Sequence, residues 1–310
     1  MGQNKETAPL KKAIAGKSSG SDNAKVLKDI SERLSKDSEA AALLQEAKTA
    51  GYKIIIKKGL GFYGSADPEK KRIYLNPDFK NDVLIGTLAH ELRHIHQYGR
   101  GVDPDIEQLD SKSYLMQNRA IEADAEAFGV AVCKNLASMG DEGPLNSYKE
   151  NAPNIVDAFE GELKKTGDMD KSRFAAFKSW YGRKQLVDIY DALQADDLDN
   201  IEDYDYCSFA RKLSAKKIVD MVCDNGKKGS YFNDSPSLLE TDEFLAMSGK
   251  NKKRITEFFE DEMVQEYELS DNSVKKIPTR QTNKTETPKK QKVSVEKAVL
   301  NKAILANKSR

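Results

Sequence analysis

Three histidines are all the chain contains in 310 residues, and they fall within seven consecutive positions, His90-Glu91-Leu92-Arg93-His94-Ile95-His96. The first five positions read HExxH. Residues four apart on a helix point the same way, so His90 and His94 can present ring nitrogens to one metal ion. Glu91 stands about 100° round the helix from His90. That places its carboxylate beside a metal, where it can take a proton from a water that zinc has made acidic. The chemistry expected of this spacing is metal-assisted hydrolysis, with zinc as the ion. His96, about 200° from His94, is expected to pack or cap and not to ligate.

Such a site needs a third ligand. The extended pattern HExxHxxGxxH fails, because Gln97 and Arg100 stand where Gly and His are required. With no fourth histidine in the chain, the third ligand must be a carboxylate. The strongest candidate is Glu122, within the 118–127 stretch NRAIEADAEA. Glu126 lies one turn further on the same face, and Ala125 and Gly129 are small enough to let two helices approach closely. Glu122 is expected to coordinate, and Glu126 to accept the second ring N–H of a ligand histidine and fix its tautomer. Asp124 points about 200° away from Glu122 and is not expected at that site.

The surrounding pattern supplies elements to hold these groups. Leu84, Leu88, Leu92 and Ile95 recur at i, i+4, i+8 and i+11, which predicts a helix over 82–98 with one apolar face. Asn81 or Asp82 would cap it, and Gly99 and Gly101 would close it. Upstream, YKIIIK (52–57), GFYG (61–64) and KRIYL (71–75) alternate with turn residues and predict a three-stranded antiparallel meander. One helix is expected over 31–50 and another over 114–136. Further helices are expected at 154–165, 173–194, 206–223 and 241–268. Phe174, Phe177, Trp180 and Tyr181 read as packing residues of that later region.

At this point the sequence resembles a known group. HExxH on one helix with a glutamate on a later one looks like the gluzincins, zinc metallopeptidases. Arg119-x-x-Glu122-x-x-Ala125-Glu126 is similar to the SRxxExxAD signature of the CAAX-processing and stress-linked membrane proteases of that group. Asn118 and Glu126 stand where the signature has Ser and Asp, and membrane helices are absent, so no substrate class carries over. The hairpin, IYLNP and HExxH series also resembles minimal soluble bacterial metallopeptidase domains. The likeness covers about 50–136. It implies a peptidase with His90, His94 and Glu122 on zinc, Glu91 as general base, and the 71–75 strand as the sheet edge that pairs with an extended peptide. The expected fold is α+β: a zincin-like core of a small antiparallel sheet, an active-site helix and a glutamate helix, followed by a mostly helical region. The expected division is a disordered basic N-terminus at 1–28, the metallopeptidase domain at 29–140, a helical domain at 145–270 and a Lys-rich disordered tail at 271–310.

Charge and composition narrow the remaining classes. Lys+Arg and Asp+Glu number 50 each. Residues 271–310 hold eleven Lys/Arg against three acids and residues 1–28 six against two, leaving an acidic middle near −12. That is not the profile of a nucleic-acid-binding domain, whose positive charge clusters on a folded face. No apolar run approaches the roughly 20 residues of a membrane span. No secretory signal is evident, and three scattered cysteines read as buried thiols, so the expected address is cytoplasmic, with non-classical export left open. The acidic stretch at 195–205 lacks an EF-hand's glycine and terminal glutamate and reads as a solvated loop. The expected partner is a peptide or protein substrate. The basic tail at 271–310 is a candidate contact for a partner or an anionic membrane surface. Two rival readings are a non-catalytic interaction protein on the same scaffold and an exported effector peptidase.

Overall fold

A computed structural model describes residues 20–102, 109–198, 211–226, 229–261, 267–270 and 273–276. The chain opens with two helices, α1 (Gly20–Leu34) and α2 (Ser38–Thr49), where one was expected. The break falls at 35–37, because the Asp37 side chain accepts the Ala40 N–H and starts α2 afresh. Residues 20–28, expected to be disordered, are the first turns of α1.

Three short strands follow: β1 (Lys53–Ile56), β2 (Gly64–Asp67) and β3 (Arg72–Leu75). They do not form the expected antiparallel meander. The order is β1-β3-β2, with β1 parallel to β3 and β2 antiparallel to it. The second strand also begins three residues later than expected, because Gly64 to Asp67 pair with Leu75 to Arg72 across a turn that Lys71 closes at φ +49°. The 71–75 segment is therefore the central strand, not the edge. The edge beside the histidines belongs to β2.

The histidine helix, α3 (Asn81–Gly99), is preceded by Lys80 as cap without a side-chain bond, so neither Asn81 nor Asp82 caps it. Asp82 instead pairs with Arg33 of α1 at 2.6 Å, in an acidic first turn that favours the helix dipole. The expected apolar face is correct: Leu84, Leu88 and Leu92 are fully buried and Ile95 nearly so. The glutamate helix, α4 (Ser111–Ser138), is longer than expected. Beyond it come α5 (Gly143–Asn151), α6 (Pro153–Thr166), α7 (Met169–Tyr181), α8 (Lys184–Leu198) and α9 (Ala215–Val222). A single helix over 173–194 was expected. It divides at Gly182 into α7 and α8, with Asp168 capping α7 through the Asp170 and Lys171 N–H groups. The last elements are α10 (Asp242–Leu245), α11 (Gly249–Asp261) and the hairpin β4 (Tyr267–Ser270) and β5 (Ser273–Lys276). The hairpin places four residues of the expected disordered tail in a strand; the rest of 277–310 lies outside the described residues, as does most of the acidic stretch at 195–205.

The folded chain groups into two compact units of interleaved segments. Among the described residues, the first draws on 20–102, 120–182, 219–226 and 229–234. In it the sheet, α1, α2, α3 and the second half of α4 share one core, with Ile30, Leu44, Ile73, Leu88, Phe128 and Val132 all buried. The helical hairpin α6–α7 adds Phe159, Phe177 and Trp180, each fully buried, which makes the aromatic residues packing groups as expected. Among the described residues, the second unit draws on 109–119, 183–198, 211–218, 235–261, 267–270 and 273–276. Its interior holds an ion pair, Arg119 with Asp191 at 2.6 Å, and Arg119 also donates to the Phe244 and Ala246 carbonyls. Nearby, Asn251 of α11 donates to the backbone and side chain of Asp188 on α8.

No helix among the described residues is long and apolar enough to cross a membrane. Cys133 and Cys223 are buried free thiols; Cys207 lies outside the described residues.

Candidate metal centre

The metal-site geometry begins with the packing of α3 against α4. Helix α3 turns its leucines into the core and leaves His90 and His94 one turn apart on the side facing α4. Ala125 on α4 is fully buried, and Gln97 of α3 donates to the Ile121 carbonyl of α4 at 3.1 Å, which ties the two helices together beside the histidines. The result brings His90, His94 and Glu122 together, each offering one ligand atom, all within 4.8 Å of one another. The two imidazole Nε2 atoms are 2.9 Å apart. Glu122 places Oε2 3.6 Å from His90 Nε2 and Oε1 3.6 Å from His94 Nε2. Donors held tetrahedrally at bonds of about 2.1 Å stand roughly 3.4 Å from one another. The three observed separations bracket that spacing, and two imidazoles with a carboxylate are a donor set that such an ion accepts. The residues present fit a metal ion. Side chains of the three keep between 8 and 18% of their surface exposed, so the site is lined by protein yet reachable by water.

Electrostatics point the same way. Burial disfavours a charge on His90, but the carboxylates of Glu122, Glu91 and Glu126 outweigh it and hold its pKa up at about 9. This is a pocket that attracts positive charge. Glu91 is buried at 6% exposure, and burial raises its pKa above the ordinary carboxylate range. His90, His94 and the Ala66 N–H of β2 pull it back down, while the negative charge of Glu122 adds to the rise. Glu91 thus adjoins both histidines and the β2 strand. It is not part of the three-ligand cluster.

Around these groups lies a set of supporting contacts that sequence reasoning only partly anticipated. Glu126 is near His90, with Oε2 3.9 Å from Nδ1, which is an ionic distance and too long for the expected hydrogen bond. The closer partner of Glu126 is the phenol of Tyr148 on α5. His94 has the partner that was expected of Glu126, but it is Gln97: Nδ1 and Oε1 are 2.9 Å apart. Gln97 in turn donates to Asp124, which is not among the three clustered donors but is tied to His94 through this amide. His96 behaves as expected, bridging Glu46 at 2.8 Å and Asp224 at 3.3 Å. The only sequence signal for Gln97 was its i+3 spacing from His94 on one helix face. Tyr148 gave none, since its approach depends on two glycines far from it in sequence, Gly86 and Gly129, at which an added Cβ would meet its ring at 2.9 Å and its hydroxyl at 2.8 Å.

No curated protein matches the chain, and no solved structure does either. A family of proteins does match, over residues 6–231, well more than half of the chain. The matched span includes α3, α4 and Tyr148, and its last residue is Tyr231, whose hydroxyl donates to Asp124 at 2.7 Å. Two histidines and a glutamate gathered in metal-binding geometry agree with what that family's description implies: the chain belongs to the putative metallopeptidase family DUF6782.

Proposed function

We propose that the protein is a zinc-dependent peptidase of gluzincin type, with His90, His94 and Glu122 as the ligands and Glu91 as the general base. The observation that carries this reading is the convergence of those three donors from two helices, with a buried carboxylate next to them on the side of the sheet edge. A zinc ion held there supplies Lewis acidity, polarising a peptide carbonyl and making water easier to deprotonate. Glu91 takes one proton from the attacking water as its oxygen bonds to the carbonyl carbon. The same carboxyl then gives that proton to the amine nitrogen as the C–N bond breaks, leaving a carboxylic acid and an amine. The elevated proton affinity that burial confers on Glu91 suits a group that must both accept and return a proton.

Substrate placement follows from β2 and not, as expected, from the 71–75 strand. Among the described residues β2 pairs only with β3, so its other edge offers backbone groups to an extended peptide. The Ala66 N–H on that strand already reaches Glu91, which puts a peptide lying along β2 next to the base. The proposed substrate is therefore a peptide or an unfolded protein segment bound in extended form.

The test is Glu91→Gln, which keeps the shape and removes the proton carrier. Both proteins, loaded with zinc, are incubated with an unstructured protein and the products read by mass spectrometry. Cleavage by wild type and a loss of at least about 100-fold in the variant, with equal zinc content, supports the reading. Equal cleavage by both proteins, or none by a zinc-loaded wild type across varied substrates, counts against it.

A further inference from the structure

Resting on the metal site just described, we propose that Gln97 is a positioning residue: it holds His94 in the one tautomer that can ligate through Nε2, and Asp124 locks Gln97 in the orientation that does so. Gln97 is fully buried one turn beyond His94. Its side-chain nitrogen lies 3.1 Å from the Ile121 carbonyl and 2.6 Å from Asp124 Oδ2. Both of those atoms only accept, so the amide nitrogen must lie on that side and Oε1 must face His94. A carbonyl oxygen also only accepts, which requires the proton of the His94 ring to sit on Nδ1, 2.9 Å away. A neutral imidazole protonated at Nδ1 has a bare lone pair at Nε2, the atom that faces His90 and Glu122. Reversing the amide would set its oxygen against two acceptors, the Ile121 carbonyl and Asp124 Oδ2.

Asp124 is in no position to yield. It is fully buried and accepts from Arg93 Nε at 2.6 Å, Arg93 Nη2 at 3.0 Å and the Tyr231 hydroxyl at 2.7 Å, besides Gln97. Arg93 is itself fixed by the Val222 and Asp224 carbonyls at 3.0 and 2.8 Å. A line of directed hydrogen bonds therefore runs from residues 222–231 through Asp124 and Gln97 to one metal ligand. This gives the segment at the end of the family match a task at the metal, although it lies about a hundred residues beyond the glutamate ligand in sequence.

With only three histidines in the chain, the tautomer of His94 can be read directly from imidazole nitrogen–proton correlation spectra of the full-length protein. The metal-stripped wild type should show the proton of His94 on Nδ1. Gln97→Leu should shift it toward Nε2 and weaken zinc binding, measured by chelator competition, about 10- to 100-fold. Gln97→Met, closer in shape, should do the same and decides the matter if the leucine variant does not fold. An Nε2–H tautomer in stripped wild type overturns the proposal, as does a folded Gln97 variant with unchanged zinc affinity. A wild type that takes up no zinc would sink the peptidase reading, while the tautomer of His94 would still decide this one.

Discussion

Tyr148 is wedged between two helices, and the wedge can be turned into a quantitative test. At Gly129 of α4 an added Cβ would meet the Tyr148 hydroxyl at 2.8 Å, Cε2 at 3.2 Å and Cζ at 3.4 Å. On the opposite side, a Cβ at Gly86 of α3 would meet Cδ2 at 2.9 Å. The ring already touches both backbones, so it cannot retreat from one without striking the other. Gly129→Ala should gain up to about 1 kcal/mol of helix propensity. Against this stand overpacking of about 1–3 kcal/mol and a strained hydrogen bond to Glu126 worth about 1 kcal/mol. The net expected effect is a loss of about 1–3 kcal/mol. In a Tyr148→Phe background the closest clash, at the hydroxyl, is gone, and only contacts of 3.2 and 3.4 Å remain. There the same substitution should be near neutral, so the cycle should show a coupling of about 1–3 kcal/mol. Urea denaturation of the four proteins measures it. Equal effects in both backgrounds, or stabilisation by Gly129→Ala in the wild type, would refute the wedge.

Other consequences follow from the same packing. Leu88→Ala, in the fully buried face behind the histidines, should cost about 2–5 kcal/mol in denaturation and loosen the site with the core. The Arg33 guanidinium, bonded to Asp141 at 2.7 and 2.8 Å, holds that carboxyl below the ordinary range. Because the folded pKa is the lower one, the stabilisation is complete above the unfolded value of about 3.9 and is lost as pH falls through the folded value. Asp141→Asn should therefore be less stable than wild type by about 1 kcal/mol at pH 7, with the gap closing in strong acid; a gap independent of pH contradicts it. Arg119→Met, which leaves Asp191 charged and buried, should cost about 3–5 kcal/mol by the same denaturation assay.

The sequence revealed those parts of the protein that depend on local spacing. The face formed by Leu84, Leu88, Leu92 and Ile95 follows the helical period, and His90, Glu91 and His94 inherit their places from it. Elimination pointed only to a carboxylate, because a chain with three histidines in one cluster has no other histidine to offer; the 118–127 segment singled out Glu122, which the fold does bring beside His90 and His94. The sheet order was not. Lys53 to Ile56 pair in parallel with Arg72 to Leu75 across an intervening strand, and nothing local marks a pairing that skips the next strand. The edge was misassigned for that reason. The break between α1 and α2 did leave a signal, the capping Asp37, which a continuous run of alanines and leucines obscured. Gln97 was invisible in its role: a glutamine on an amphipathic helix reads as surface, and only the crossing of α4 sets Ile121 and Asp124 against its amide. Tyr231 was further out of reach, since a residue 107 positions from Asp124 meets it only through the tertiary fold.

The central claim is that His90, His94 and Glu122 together hold one metal ion. The most direct measurement is metal stoichiometry by native mass spectrometry, for wild type and Glu122→Ala equilibrated with zinc and then freed of excess. The geometry predicts one zinc per chain in the wild type and a loss of most of it in the variant, with secondary structure unchanged by circular dichroism. A wild type that keeps no zinc, or a folded Glu122→Ala that keeps a full equivalent, would contradict it.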